Sequence, residues 1–200
     1  GVLAGRELEI AWLEDPIDVF FLQIQGSGQI LLEDGTCLRV NYSASNGRPY
    51  RSIGAVLIDR GIIEREEMNI PRLKEYLYNN PSQREEILNL NESYVFFRQV
   101  DEGPLGNIEV PLTPGRSLAT DSRLFPKGGL AYICLEKPII DDSGTIRAWV
   151  PFSRFVLNQD TGGVIRGPGR ADLFWGSGEA AEISAGHMQH EGRLYFLVEK

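Results

Sequence analysis

Residues 159–176 read Gln159-Asp160-Thr161-Gly162-Gly163-Val164-Ile165-Arg166-Gly167-Pro168-Gly169-Arg170-Ala171-Asp172-Leu173-Phe174-Trp175-Gly176. Two carboxylates, two arginines and five glycines share these eighteen positions. An apolar run from Trp149 to Leu157 leads into them. Glycine lets backbone approach a ligand closely, and two acids near the ends of such a loop are ingredients of acid–base chemistry on a bound substrate. The same residues also suit plain turns, because Gly-Pro-Gly bends the chain and Asp closes loops through its side chain. Both readings stand on this stretch alone.

Working outward, residues 101–200 are a run of short strand-like segments with Gly and Pro between them. Strands are predicted at Glu109–Leu112, Ser117–Ala119, Leu130–Leu135, Thr145–Val150, Phe152–Leu157 and Tyr195–Val198, with a single helix at Gly178–Ala185. Many short strands in about 100 residues imply a small barrel or sandwich. The polar, Gly/Pro-bearing stretch Asp101–Asn107 follows a strand and marks a domain boundary, which divides the chain into residues 1–100 and 101–200.

Residues 1–100 read as a β-meander followed by a helical patch. Ile17–Ile24 is rich in β formers and is predicted as a strand, Gln25-Gly26-Ser27-Gly28 breaks it, and Gln29–Glu33 resumes it. Asp34-Gly35 is a hairpin turn returning into Cys37–Tyr42. Tyr50–Arg60 has helical spacing with Gly61 as its stop. Pro71 opens a second helix, and Pro81 a third that Asn80 or Ser82 would cap. Tyr94–Arg98 is a strand. The Gln-Gly-Ser-Gly break is either a tight bend or a place where backbone amides face a ligand.

Bulk composition narrows the function. A hydrophobic content of 42% with 24% charged residues describes a globular chain. A net charge of −8 without a basic block argues against nucleic acid as a partner. An anionic substrate would therefore be held by local arginines. The two cysteines, Cys37 and Cys134, lie in strand-like apolar contexts without metal spacing; they read as buried free thiols, with one disulfide as the alternative. His187 and His190 lack the company of a metal site, so no metal and no cofactor are expected. No run reaches the ~18 apolar residues of a membrane helix, and no signal peptide is visible at Gly1-Val2-Leu3-Ala4-Gly5.

Three acids then stand in recognisable turn contexts: Asp121 within Ala119–Gly128, Asp160, and Asp172. With Gln159–Gly167, Arg170–Gly178, the upstream Gln25–Gly28 and the segment Asn46-Gly47-Arg48-Pro49-Tyr50-Arg51-Ser52-Ile53-Gly54, they make five motifs in order along the chain. Together these resemble the membrane-bound lytic murein transglycosylase A family. The resemblance implies a mainly β fold: a double-psi β-barrel carrying three aspartates, plus a second, smaller β domain with a few helices, and glycan in the groove between them. It implies cleavage of the β-1,4 bond between N-acetylmuramic acid and N-acetylglucosamine of peptidoglycan glycan strands, without water, leaving a 1,6-anhydro sugar. By motif position the single catalytic aspartate is Asp172.

The resemblance also implies a periplasmic, outer-membrane-attached bacterial protein. Its lipid anchor would belong to the full-length protein and lie outside this sequence. Cell-wall remodelling proteins would be its partners.

One carboxyl suffices for such a step. It protonates the glycosidic oxygen, then takes the proton of the C6 hydroxyl that attacks the anomeric carbon intramolecularly. Leu173, Phe174 and Trp175 are expected to form an apolar wall beside Asp172. On this reading Asp160 is supporting and closes the Gly162-Gly163 turn, and Asp121 orders a turn. Arg166 and Arg170 bind glycan or peptide carboxylates, or else pair structurally with Asp160 or Glu179. Gln25, Gly26, Ser27, Gly28, Tyr50 and Arg51 are candidates on the smaller domain, and Gly163, Arg166, Gly167 and Arg170 on the larger. Trp175 stacks on a sugar or packs in the core. Two alternatives remain: an inverting glycoside hydrolase using an Asp172/Asp160 pair, and a non-catalytic, expansin-like wall-binding module.

Overall fold

The structure is a computed structural model that describes Leu3 and residues 5–199. The chain divides into two compact units. The first runs to Pro104 apart from residues 69–71, and the second takes those three with Leu105 onward.

The first unit opens with α1 (Pro16–Gln25), where the composition predicts a strand. Pro16 stands at the first helical turn, and Asp15 caps it with Oδ1 accepting the Ile17 N–H at 2.7 Å. Ile17, Phe20, Phe21 and Ile24 then fall on one face, and Ile17 and Phe20 are buried. A cap of this kind contributes about 1 kcal/mol. Together with the burial of an apolar face it outweighs the β preference of the individual residues. Gly26 ends the helix in the left-handed region, φ 74°, donating its N–H to Leu22 O. The glycine break is thus a helix C-cap, not a bend within a meander.

After α1 come β1 (Ser27–Leu31) and β2 (Cys37–Ser45), antiparallel across the Asp34-Gly35 turn. The helices α2 (Ile53–Asp59), α3 (Ile70–Asn79) and α4 (Pro81–Leu88) follow, close to the expected spans. Ser52 caps α2, accepting from Ala55 N–H. Asn80 makes no cap to α4: its side-chain amide donates to Tyr76 O. β3 (Val95–Gln99) returns beside β2, giving a three-stranded sheet ordered β1-β2-β3. Ile17, Phe20, Ile53, Leu57, Leu73, Leu77 and Ile87 form the core of this unit.

The second unit contains β4 (Ser117–Ala119), β5 (Leu130–Ile140), β6 (Ile146–Asp160), β7 (Asp172–Leu173), α5 (Glu179–His187) and β8 (Arg193–Phe196). They build one sheet ordered β7-β4-β6-β5-β8 over a core of Leu118, Ala131, Ile133, Phe152 and Val156. The mainly β class is as expected; as paired, the sheet has β7 and β8 at its two edges. The two segments expected on either side of Pro151 are one continuous strand. β4 pairs with β6 only from Leu157 onward, so at Pro151 the side away from β5 carries no ladder, and a missing N–H is tolerated there. Glu109–Leu112 is not a strand: it is a turn with an isolated bridge between Leu105 and Pro111.

Both cysteines are free, and Cys37 is exposed rather than buried. Among the described residues no helix is long and apolar enough to cross a membrane.

Candidate functional site

The opening stretch folds around β4. Ala119 pairs with Asp172 on one side, antiparallel, and with Asp160 on the other, parallel. The register of β6 skips Gln159, so that Asp160 stands opposite Ala119. Such a bulge re-aims a side chain at the end of a strand. The two acids therefore sit level, two strand spacings apart, which is about 9.5 Å between Cα atoms.

Their surroundings differ. Burial pushes the Asp160 carboxyl above its ordinary value; the N–H groups of Thr161 and Asn107 pull it back, and the charge of Asp172 adds to the rise. Oδ1 of Asp160 accepts the Asn107 N–H at 3.1 Å. Asp160 therefore holds the 106–110 turn as well as the end of β6. Asp172 is open, with its side chain 46% exposed. Arg170 grips both its oxygens, Nε to Oδ1 and Nη2 to Oδ2, each at 2.9 Å. The expected apolar wall is not its nearest partner: Leu173 packs toward the core, and Trp175 packs against Phe152 with ring centroids 6.0 Å apart and the rings tilted by 30°. Trp175 thus takes the packing role.

Asp121 is fully buried. Arg123 donates to both its oxygens, at 2.9 and 2.7 Å, and Gly167 donates its N–H at 2.9 Å. Arg123 foremost, with the Gly167 N–H, holds this carboxyl well below the usual range. Asp121 does order the turn after β4, accepting at its backbone oxygen from Leu124 and Phe125. It also ties that turn to the 161–171 loop, and Thr161 Oγ1 to Thr120 O at 2.8 Å is a second tie. The loop's Gly167, at φ 81°, is in a region that favours glycine.

Arg166 donates to Gly162 O and Ile165 O, both at 3.2 Å, so it braces its own loop and pairs with neither Asp160 nor Glu179. Gly163 has open space where a side chain would stand. In the first unit, Gln25 is the last residue of α1, Gly26 its cap, and Ser27 and Gly28 start β1. Tyr50 and Arg51 precede α2, and the Arg51 N–H bonds Asn91 Oδ1 at 3.0 Å.

Among the described residues no cluster of three or more His, Cys, Asp or Glu is placed to hold a metal. His187 Nδ1 lies 2.9 Å from Ile183 O, and His190 packs at a tilt against Trp149. Sequence reasoning missed Arg123 and Asn107. An arginine two residues after an aspartate is a readable hint for the first. The second lies 53 residues from its acceptor and leaves no local signal.

Comparison with known proteins gives this arrangement its context. Residues 1–98 match the MltA specific insert domain, and residues 116–198 match the 3D domain. The chain is 36% identical over 200 residues to a membrane-bound lytic murein transglycosylase A of Vibrio cholerae, covering 98% of this chain and 53% of that protein. The crystal structure of a membrane-bound lytic murein transglycosylase from Agrobacterium tumefaciens superposes with a TM-score of 0.84 at 37% identity, over 98% of this chain and 53% of that one. That of Escherichia coli MltA with bound chitohexaose superposes at 0.77 and 31% identity, over 91% and 54%. The chain thus spans about half the length of the relatives it matches. By both matched domains and these relatives, the chain belongs to the membrane-bound lytic murein transglycosylase A family.

Proposed function

We propose that this chain is the part of a peptidoglycan lytic transglycosylase that carries the catalytic acid, and that Asp172 is that acid. It acts in the bacterial cell envelope on the β-1,4 bond from N-acetylmuramic acid to N-acetylglucosamine. The observation that carries the reading is the contrast between the two acids. Asp172 is open to a polymer at the edge of the sheet, whereas Asp160 is half-buried and engaged with Asn107.

The chemistry follows from a single exposed carboxyl. Asp172 in its acid form gives its proton to the glycosidic oxygen as the bond to C1 breaks. The resulting carboxylate takes the proton of the C6 hydroxyl as O6 bonds to C1, closing the 1,6-anhydro ring. The nucleophile is already tethered to the electrophile, which supplies the high effective concentration of an intramolecular reaction. No water has to be positioned, so no second carboxylate is required. Asp160 supports the site by holding the Asn107 turn, and Asp121 holds the loop that bears Arg166 and Arg170.

One observation favours a second reading. Asp160 and Asp172 flank the same β4 residue, Ala119, on opposite sides, and two separated carboxyls with a water between them are the arrangement of inverting hydrolases. Mass analysis of products from intact sacculi, using the full-length protein, separates the two. Anhydro-muropeptides without a reducing end are expected, and reducing muropeptides as the main product would replace the lyase with the hydrolase. Asp172→Asn is expected to abolish cleavage while Asp160→Asn retains part of it. Equal loss from both would sink the single-acid mechanism, and binding without turnover in the wild type would favour a wall-binding module.

A further inference from the structure

Asp172 meets Arg170 through two parallel bonds, Nε to Oδ1 and Nη2 to Oδ2, each at 2.9 Å. Equal bonds to both oxygens mean that the planar fork faces the carboxyl head-on. Each carboxylate oxygen has two acceptor sites, so the fork fills the inward site on each and the outward one stays open. A proton added at an outward site leaves both guanidinium bonds in place, because the inward lone pairs still accept.

Both members of the pair are set by the same short stretch of backbone. Ala119 pairs with Asp172. The carbonyl of Thr120 accepts from Thr161 Oγ1 at 2.8 Å, at the start of the loop that carries Arg170. The carboxyl of Asp121 accepts the Gly167 N–H at 2.9 Å, three residues before Arg170. Within the loop, Arg170 Nη1 also lies 3.4 Å from Val164 O. Three successive residues at the end of β4 thus set the acid, the loop and its arginine against one another. Strand pairing fixes the backbone of Asp172 and leaves its side-chain torsions to be set by the fork. Exposed ion pairs are commonly weak, and bidentate arginine–carboxylate geometry is the exception.

We propose that Arg170 is a positioning residue for the acid: it stays on Asp172 throughout the reaction, fixes the plane of the carboxyl and leaves an outward oxygen site to carry the proton. The proposal rests on the reading of Asp172 as the acid. The proton leaves that site for the glycosidic oxygen as the C1–O bond breaks. The C6 hydroxyl proton comes to it as O6 bonds to C1. In a β-linked sugar both bonds lie on the face of C1 that carries C6, so one carboxyl held still serves both transfers. A carboxyl free to turn would spend part of its time out of line with both.

The test uses the full-length protein, peptidoglycan strands as substrate and the rate of anhydro-muropeptide release as the readout. Circular dichroism verifies the fold of each variant before rates are compared. Arg170→Ala is expected to lower kcat about 10–100-fold with KM little changed, the pattern of an interaction that matters only in the transition state. Ethylguanidinium is expected to restore part of the rate to Arg170→Ala, since the side chain it replaces is 48% exposed. Ethylammonium at the same concentration is expected to restore none, because a point charge presents no fork. For the same reason Arg170→Lys should stay closer to Arg170→Ala than to wild type.

An unchanged kcat in Arg170→Ala overturns the proposal. So does a loss confined to KM, which assigns Arg170 to substrate binding. Rescue by ethylammonium as good as by ethylguanidinium, or rescue by neither, overturns it too. Cleavage that survives in Asp172→Asn defeats the underlying reading of the acid instead.

Discussion

Gly106 is the position where one added methyl should disturb both the fold of the second unit and its acid pair. It is buried, it donates to Val110 O, and it accepts from Glu109, each at 2.9 Å. The next residue, Asn107, donates to Asp160. A Cβ on Gly106 would lie 2.8 Å from Leu112 Cδ2 and 3.1 Å from the carbonyl carbon of Gln159, and closer still to that carbonyl's oxygen. Leu112 can swing aside, but the Gln159 backbone sits in the bulge that sets the register of Asp160 and cannot. Forcing a methyl into such packing costs about 1–3 kcal/mol. Pulling Asn107 off the Asp160 carboxyl adds about 1 kcal/mol when water can replace part of the bond. Gly106→Ala is therefore expected to lose about 2–4 kcal/mol. That corresponds to a Tm lower by about 5–15 °C in a chain of this size. Thermal unfolding followed by circular dichroism gives the first number, and amide exchange at Asn107 reports the local bond. A Tm shift below about 2 °C with the Asn107 amide still protected would refute the claim that this glycine is required by close approach.

Two further expectations concern the other acids. Asp160 is raised in the folded state by burial, so the folded chain disfavours its charged form. That cost is absent below the unfolded value of about 3.9 and grows as pH rises through the folded value. Asp160→Asn keeps an oxygen for the Asn107 N–H and removes the charge. It should raise Tm relative to wild type at about pH 7 and lose that advantage near about pH 3.5; an equal difference at both values would count against desolvation as the cause. Asp121 has the opposite sign: its depressed value contributes stability above about pH 4 that is lost as pH falls toward the folded value. Asp121→Asn should flatten this acid dependence and speed amide exchange at Gly167 by about tenfold or more, and unchanged Gly167 exchange would argue against the tie.

Much of the local structure was legible. Pro71 and Pro81 opened helices as their fixed φ and missing N–H dictate, and Asp34-Gly35 turned the first hairpin. The error at Ile17–Ile24 is instructive. Its β-branched and aromatic residues argued for a strand, while Asp15-Pro16 and the i, i+3, i+4 spacing of Ile17, Phe20 and Phe21 argued for a helix. The cap and the buried face prevailed, because tertiary burial of a continuous apolar face exceeds the few tenths of a kcal/mol that separate single-residue propensities. Pro151 misled in the other direction: a proline inside a strand is harmless where no neighbour needs its N–H, and only the sheet order reveals that.

Chemistry-bearing residue types, their order and their turn contexts could be read from the chain itself, because local backbone preferences and motif spacing are properties of neighbouring residues. Those were enough to single out Asp172, Asp160 and Asp121 and to point to a family. How far each acid is covered, Asp121 fully, Asp160 half and Asp172 least, depended on the tertiary structure alone. Asp160 and Asp172 are twelve residues apart along the chain, yet both pair with Ala119, a residue far from either in sequence. Arg123, Asn107 and Gly167 reach their partners only once the sheet is assembled. Burial and hydrogen-bond partnership are set by atoms that sequence distance does not bring together. For that reason the two acids of the opening Gly-rich loop stand in the structure as one half-buried carboxyl that holds a turn and one open carboxyl gripped by Arg170.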